Sequence, residues 1–91
     1  TYALRVVGDS MTAPHGKSYP EGCLIFVDPD RLDPPSGAPI IAKVNGDDAV
    51  TFKILVRDAG RVWLRALKPA YPPIQDGLRV LGTVIGKWED A

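Results

Sequence analysis

Glycine and proline set the limits on this chain. Nine of each are spread along 91 residues, and the runs between them are short and rich in Val, Ile and Leu. Proline fixes φ and removes a backbone donor, and glycine weakens regular elements, so little of the chain can wind into a long helix. Short β-branched runs bounded by turn formers read as strands. The pattern predicts a mostly β fold with no helix. Six strands are expected: Tyr2–Val7, Cys23–Val27, Ile40–Val44, Ala49–Val56, Arg61–Leu67 and Leu78–Trp88. Thr12–Glu21, Asp30–Pro39 and Lys68–Gly77 read as loops. No internal repeat or low-complexity tract interrupts them. Open strand edges invite association, so a closed or half-closed β-structure of antiparallel strands and hairpins is expected.

Asn45-Gly46 is the strongest hairpin signal, because both residues tolerate the positive φ that a type I′ turn requires. Asp58-Ala59-Gly60 is the next turn. Between them, alternation puts Val50, Phe52, Ile54 and Val56 on one strand face and Thr51, Lys53 and Leu55 on the other. Asp47 and Asp48 flank the first turn and should point to solvent. The last strand is apolar on both faces near Val84 and Ile85, which suits a central strand or one covered by a second subunit.

The length fits one small domain with a modest core. An apolar content of 45% argues against disorder. Eleven basic residues balance 11 acidic ones without a basic patch, so this segment is not expected to grip DNA or RNA itself. The single cysteine, Cys23, allows no internal disulfide and reads as a small core residue. No apolar run reaches the length of a membrane-spanning helix. The chain starts at Thr1, not at a methionine, and reads as a fragment of a longer protein.

Two residues suggest chemistry. Ser10 follows Gly8-Asp9, where a strand gives way to a loop and a glycine permits a sharp bend. Lys53 sits in Thr51-Phe52-Lys53-Ile54-Leu55, among apolar neighbours and without an acidic residue nearby on its strand face. A serine hydroxyl needs a base to take its proton. A lysine can serve only when neutral, and its ordinary pKa is about 10.4. Burial disfavours the ammonium and lowers that value. Reaching about 7–8 costs the fold roughly 3–4 kcal/mol, a large share of a stability of about 5–15 kcal/mol. Taken singly, Gly-Asp-Ser is an ordinary turn and a strand lysine is an ordinary snorkelling residue. The combination is what points to a nucleophile and a base. Backbone N–H groups of Ser10 and its neighbours could then serve as an oxyanion hole. Other candidates are weaker. His15 lies in a Pro/Gly loop too close in sequence to Ser10 for an easy pair. Asp28, Asp30 and Asp33 lack calcium-loop spacing and read as turn acids. Trp63 and Trp88 read as buried aromatics.

Longer stretches sharpen this. They are Gly8-Asp9-Ser10-Met11-Thr12-Ala13-Pro14, Pro20-Glu21-Gly22, Leu24-Ile25-Phe26-Val27-Asp28-Pro29, Ile41-Ala42-Lys43 and Thr51-Phe52-Lys53. Further on come Leu55-Val56-Arg57-Asp58-Ala59-Gly60, Leu67-Lys68-Pro69-Ala70-Tyr71-Pro72 and Gly82-Thr83-Val84-Ile85. In order and spacing they resemble the C-terminal domain of lambdoid phage repressors, among the LexA-like self-cleaving serine peptidases, which share a small β-fold with signal peptidases. The resemblance implies Ser10 as nucleophile, Lys53 as general base and Met11 beside the oxyanion site. Relatives often carry two adjacent lysines at the second motif; here Ile54 fills the second place. It implies dimerisation through the last strand, at Thr83, Val84, Ile85, Lys87 and Trp88, with no metal and no cofactor. It further implies a bacterial cytoplasmic setting and a RecA-type recombinase filament as activator of linker cleavage. Operator DNA would be met only through an N-terminal domain absent from this chain. No Ala-Gly bond precedes Ser10, and Ala59-Gly60 lies in a turn, so this segment is not expected to cut itself in cis. Two alternatives stand: an oligomerisation module with an idle Ser–Lys pair, released by an antirepressor, and a processing peptidase acting on other proteins.

Overall fold

The apolar runs become six strands: β1 (Tyr2–Arg5), β2 (Leu24–Asp28), β3 (Pro39–Val44), β4 (Val50–Asp58), β5 (Arg61–Arg65) and β6 (Leu78–Trp88). They belong to a computed structural model that describes residues 1–45, 49–75 and 77–89, and no helix occurs among those residues. All pairings are antiparallel, in one sheet of order β1-β2-β6-β3-β4-β5. The mostly β expectation holds, and β6 proves to be a central strand, between β2 and β3.

Strand ends differ from the predicted ones for local reasons. β1 stops at Arg5 because Val6 turns into the core, while Val7 stands 88% exposed. β4 runs on to Asp58 because Ala59 and Gly60 close a two-residue loop, with φ of 50° and 79° and Asp58 opposite Arg61. Positive φ at both central residues is the type I′ signature. The Asn45 hairpin is built differently. Asn45 has φ 52°, but its N–H donates to Gly77 O at 2.8 Å, continuing the pairing of β3 with β6. Lys43 lies opposite Val50, whereas a two-residue Asn45-Gly46 loop would have placed it opposite Asp48. The predicted positions of Gly46, Asp47 and Asp48 lie outside the described residues.

Each face of the sheet carries its own core. On one side Val6, Met11, Tyr19, Cys23, Ile25, Val27, Ile41, Ile54 and Val84 are buried together. On the other, Ile40, Ala42, Leu55 and Leu64 form a smaller cluster made only of strand residues. The alternation read from sequence accounts for this division: Ile54, with the half-buried Phe52, faces the first core and Leu55 the second. The predicted loop 12–21 is less polar in effect than in composition. Tyr19 folds into the first core and meets Phe52 edge-on, with ring centroids 4.9 Å apart.

β6 passes close to β2 and is bulged twice. Gly82 faces Ile41 while Val80 faces Ala42, which leaves Leu81 unpaired; Gly86 faces Phe26 while Val84 faces Val27, which leaves Ile85 unpaired. A Cβ at position 82 would lie 2.7 Å from Val27 Cγ1 and 3.0 Å from the Asp28 carbonyl oxygen, so only glycine fits that crossing.

β1 and β4 are four steps apart in the sheet. In a flat sheet that is about 19 Å, at about 4.8 Å per strand. Twist of roughly 20–25° per strand pair curls the sheet instead. The segments that follow the two outermost strands then meet: the Lys68 N–H, after β5, donates to the Ser10 carbonyl, after β1, at 3.0 Å. The half-closed form is thus completed by loop contacts, not by strand pairing.

Candidate active site

Ser10 is set by a turn whose anchor is its neighbour. The Met11 side chain is only 1% exposed and is fixed in the first core. Burying a side chain of that size contributes about 1.5–3 kcal/mol. The Met11 carbonyl accepts the Tyr19 N–H at 2.7 Å, and the Thr12 N–H closes a turn onto the Asp9 carbonyl at 3.0 Å. Upstream, Gly8 adopts φ 82° and its N–H donates to Glu21 Oε2 at 2.6 Å. With Met11 held below and these bonds on either side, the Ser10 hydroxyl faces a cleft of about 250 Å³. Leu4, Val6, Val7, Ile25, Ile41, Val50 and Phe52 supply much of the cleft's lining.

Lys53 reaches the same cleft from β4. Its Nζ lies 3.2 Å from Ser10 Oγ, 2.8 Å from Thr51 Oγ1 and 3.2 Å from the Phe52 carbonyl oxygen. Thr51 and Lys53 are two residues apart and share a strand face, which brings the threonine hydroxyl to the amine. Among the described residues no carboxylate pairs with Lys53. Burial of the amine pushes its pKa below the ordinary lysine value.

The donor count decides what this arrangement can do. An ammonium has three N–H donors, and three oxygens are in place to accept them. A neutral amine has two N–H donors and one lone pair. Thr51 Oγ1 and the Phe52 carbonyl satisfy the two donors, which leaves the lone pair for Ser10, whose hydroxyl then donates to Nζ. That is the geometry a general base needs toward a nucleophile.

A second lysine borders the serine turn under opposite conditions. The Lys68 ammonium contacts the Asp9 carboxylate, and the Tyr71 hydroxyl donates to Asp9 Oδ1 at 2.6 Å. The hydrogen bond from Lys68, then that from Tyr71, holds Asp9 below the usual carboxylate range, and the same carboxylate raises Lys68. Sequence reasoning found neither this cluster nor Thr51. Thr51 was within reach of the alternation argument; the cluster joins positions about sixty apart and carries no local signal.

The remaining predicted residues are scattered. Thr83 and Val84 are each 6% exposed; the Thr83 hydroxyl donates to the Arg31 carbonyl at 2.7 Å and Val84 packs in the first core. Lys87 donates to the Ser18 carbonyl at 2.5 Å and to Glu89, and lies 5.3 Å from the Tyr19 ring centroid. Ile85 and Trp88 are 48% and 57% exposed. The expectation of a buried Trp88 is therefore corrected: it sits opposite Leu24, on the sheet face away from Ile25 and the first core. Cys23 is buried, as expected of a core residue. His15 is exposed in its loop. Asp28 accepts the Asp30 N–H at 3.0 Å and pairs with Arg31, and Asp33 pairs with Arg57 at 2.5 Å.

The Peptidase S24-like family model matches residues 1–85. Among curated proteins, Repressor protein C2 of Salmonella phage P22 is 46% identical over 87 residues, covering 93% of this chain and 40% of that protein. The HTH-type transcriptional regulator for conjugative element SXT of Vibrio cholerae is 44% identical over 86 residues, covering 91% of this chain and 40% of its own length. Prophage repressor CohE of Escherichia coli is 38% identical over 89 residues, with 93% and 38% covered. The chain spans about 40% of the length of these relatives.

Proposed function

The chain belongs to the Peptidase S24-like family, a serine-peptidase-type domain, and from that membership and the site geometry we propose that it is the C-terminal domain of a phage or mobile-element transcriptional repressor. In this reading residues 1–91 hold two functions, dimerisation and a latent self-cleavage reaction. Ser10 attacks the carbonyl of a linker peptide bond, neutral Lys53 takes its proton, and N–H groups of the Ser10–Met11 turn stabilise the developing oxyanion. A RecA-type filament on single-stranded DNA would promote the reaction in the bacterial cytoplasm, and DNA would be read by an N-terminal domain. Linked DNA readers bind a two-fold site better than free ones by factors of about 10²–10⁴. Cutting the linker removes that gain without altering a base contact.

The observation that carries this reading is the 3.2 Å approach of Lys53 Nζ to Ser10 Oγ in a cleft where, among the described residues, no carboxylate pairs with the amine. The full-length protein should cleave itself faster as pH rises, because deprotonation of Lys53 creates the base. Ser10→Ala and Lys53→Ala should each lower the rate at least about 10³-fold, since members of a catalytic unit fail together. Cleavage that persists in either variant would rule the dyad out and favour the idle-pair alternative.

Dimerisation is proposed through the outer face of β6 at Ile85 and Trp88, beside the half-buried Leu24 and Phe26. Lys87 borders that face. Thr83 and Val84 are occupied inside the protomer and act only through the shape of the strand. Trp88→Glu should shift the sedimentation of the chain from dimer toward monomer, because an aromatic anchor at an interface is commonly worth 2 kcal/mol or more. An unchanged sedimentation profile would move the interface elsewhere.

A further inference from the structure

The serine turn is gripped from outside the cleft as well. Asp9, the residue before the serine, holds the Lys68 ammonium on one carboxylate oxygen and the Tyr71 hydroxyl on the other. The main chain of Lys68 donates to the Ser10 carbonyl at 3.0 Å, and the Tyr71 N–H donates to the Lys68 carbonyl at 3.2 Å. One turn of the β5–β6 loop therefore holds residues 9 and 10 by side chain and main chain together. Among the described residues, the strand pairing does not tie the segment after β1 to the segment after β5. The Asp9 and Lys68 side chains are about half exposed, and an exposed ion pair contributes little to stability. Three bonds converging on two adjacent residues supply position instead. A displacement of about 1 Å in a reacting group can lower a rate about a hundredfold.

We propose that Asp9, Lys68 and Tyr71 are positioning residues for Ser10: together they clamp the serine turn against β4 so that Oγ stays within reach of the Lys53 amine. This rests on the reading of Ser10 and Lys53 as nucleophile and base. Among the described residues, the titratable groups that face Lys68 are Asp9 and Tyr71, and those that face Asp9 are Lys68 and Tyr71; Lys53 is faced by the hydroxyls of Ser10 and Thr51. Lys68 is pushed above its ordinary value by Asp9, while Lys53 is pushed below by burial. A range of pH therefore exists in which the base is neutral and the clamp is still charged. Above it, loss of the Lys68 proton opens the clamp.

The test uses a fluorophosphonate probe on the 91-residue chain, with Ser10 labelling followed by intact mass and peptide mapping. In the labelling step Ser10 Oγ bonds to phosphorus, the P–F bond breaks, fluoride leaves and the hydroxyl proton passes to Lys53. Asp9→Asn and Lys68→Met should each label at least about tenfold more slowly than wild type, and the double variant no more slowly than the slower single one. Lys68→Arg, whose guanidinium stays charged, should label near the wild-type rate and keep that rate to higher pH. Circular dichroism melts separate loss of fold from loss of position, and Tyr71→Phe gives a second, milder variant if either single one melts early. Folded Asp9→Asn and Lys68→Met chains that label as fast as wild type would overturn the clamp and leave the dyad standing. A wild-type chain that never labels at Ser10 would overturn the dyad, and the clamp with it.

Discussion

Two lysines border the serine turn, and their surroundings are opposites. Lys53 rises from a strand into a half-buried cleft, and its hydrogen-bond partners among the described residues are neutral oxygens. Lys68 lies on a loop, about half exposed, and meets a carboxylate. The same side chain is driven toward its neutral form in one place and its charged form in the other. Which chemistry a lysine can perform is decided by what lies within about 4–6 Å of its nitrogen, far more than by its position along the chain.

The most direct way to break the contrast is to give Lys53 a carboxylate of its own. Thr51→Asp puts one where the threonine hydroxyl now lies 2.8 Å from Nζ. An opposite charge at that range raises an amine's pKa by about 1–3 units. The neutral fraction, and with it the neutral-pH cleavage rate of the full-length protein, should fall roughly a hundredfold. The lost rate should return as pH is raised, which a pH–rate profile would reveal. A Thr51→Asp protein that cleaves normally at neutral pH would mean that Lys53 does not act as the base.

A smaller effect sharpens the contrast through stability. The pKa of Lys53 is lower in the folded chain than in the unfolded one. Below the folded value both states are protonated, and the burial penalty acts in full. As pH rises through that value toward the ordinary lysine value, the unfolded chain binds more protons than the folded one, so the fold gains stability. Lys53→Met should therefore be more stable than wild type at neutral pH, by no more than about 1 kcal/mol because the amine is only half-buried. Its advantage should shrink as the pH approaches the ordinary lysine range. Urea titrations at several pH values would measure this, and a Met variant less stable than wild type at neutral pH would contradict it.

The two lysines also mark what the sequence could and could not reveal. Lys53 was legible because its neighbours are apolar and alternation fixes its strand face, and six strands without a helix followed from short β-branched runs between glycines and prolines. Lys68 was not legible as a partner of Asp9, since that contact depends on how far the sheet curls, a property of all six strands together. The same limit hid the insertion of β6 between β2 and β3, an arrangement that local patterns do not encode. The two bulges in β6 had a further consequence: a list of consecutive residues could not show that Val84 points into the core while Ile85 and Trp88 stay exposed. Turn chemistry misled in one place. Asn45-Gly46 is the better type I′ dipeptide, yet the register that sets Lys43 opposite Val50 does not fit a two-residue loop there, and among the described residues that geometry occurs at Ala59-Gly60. Ala59 accepts a positive φ that costs roughly 1–2 kcal/mol, so strand pairing overrode local preference.

The central claim is that folding leaves the Lys53 amine ready to lose its proton beside Ser10. A titration of the lysine ¹³Cε and ¹⁵Nζ resonances, assigned with Lys53→Met and Lys68→Met, tests it with both lysines in one sample. The Lys53 midpoint should fall below the ordinary lysine value and the Lys68 midpoint above it; a Lys53 that titrates at or above the ordinary value would contradict the account.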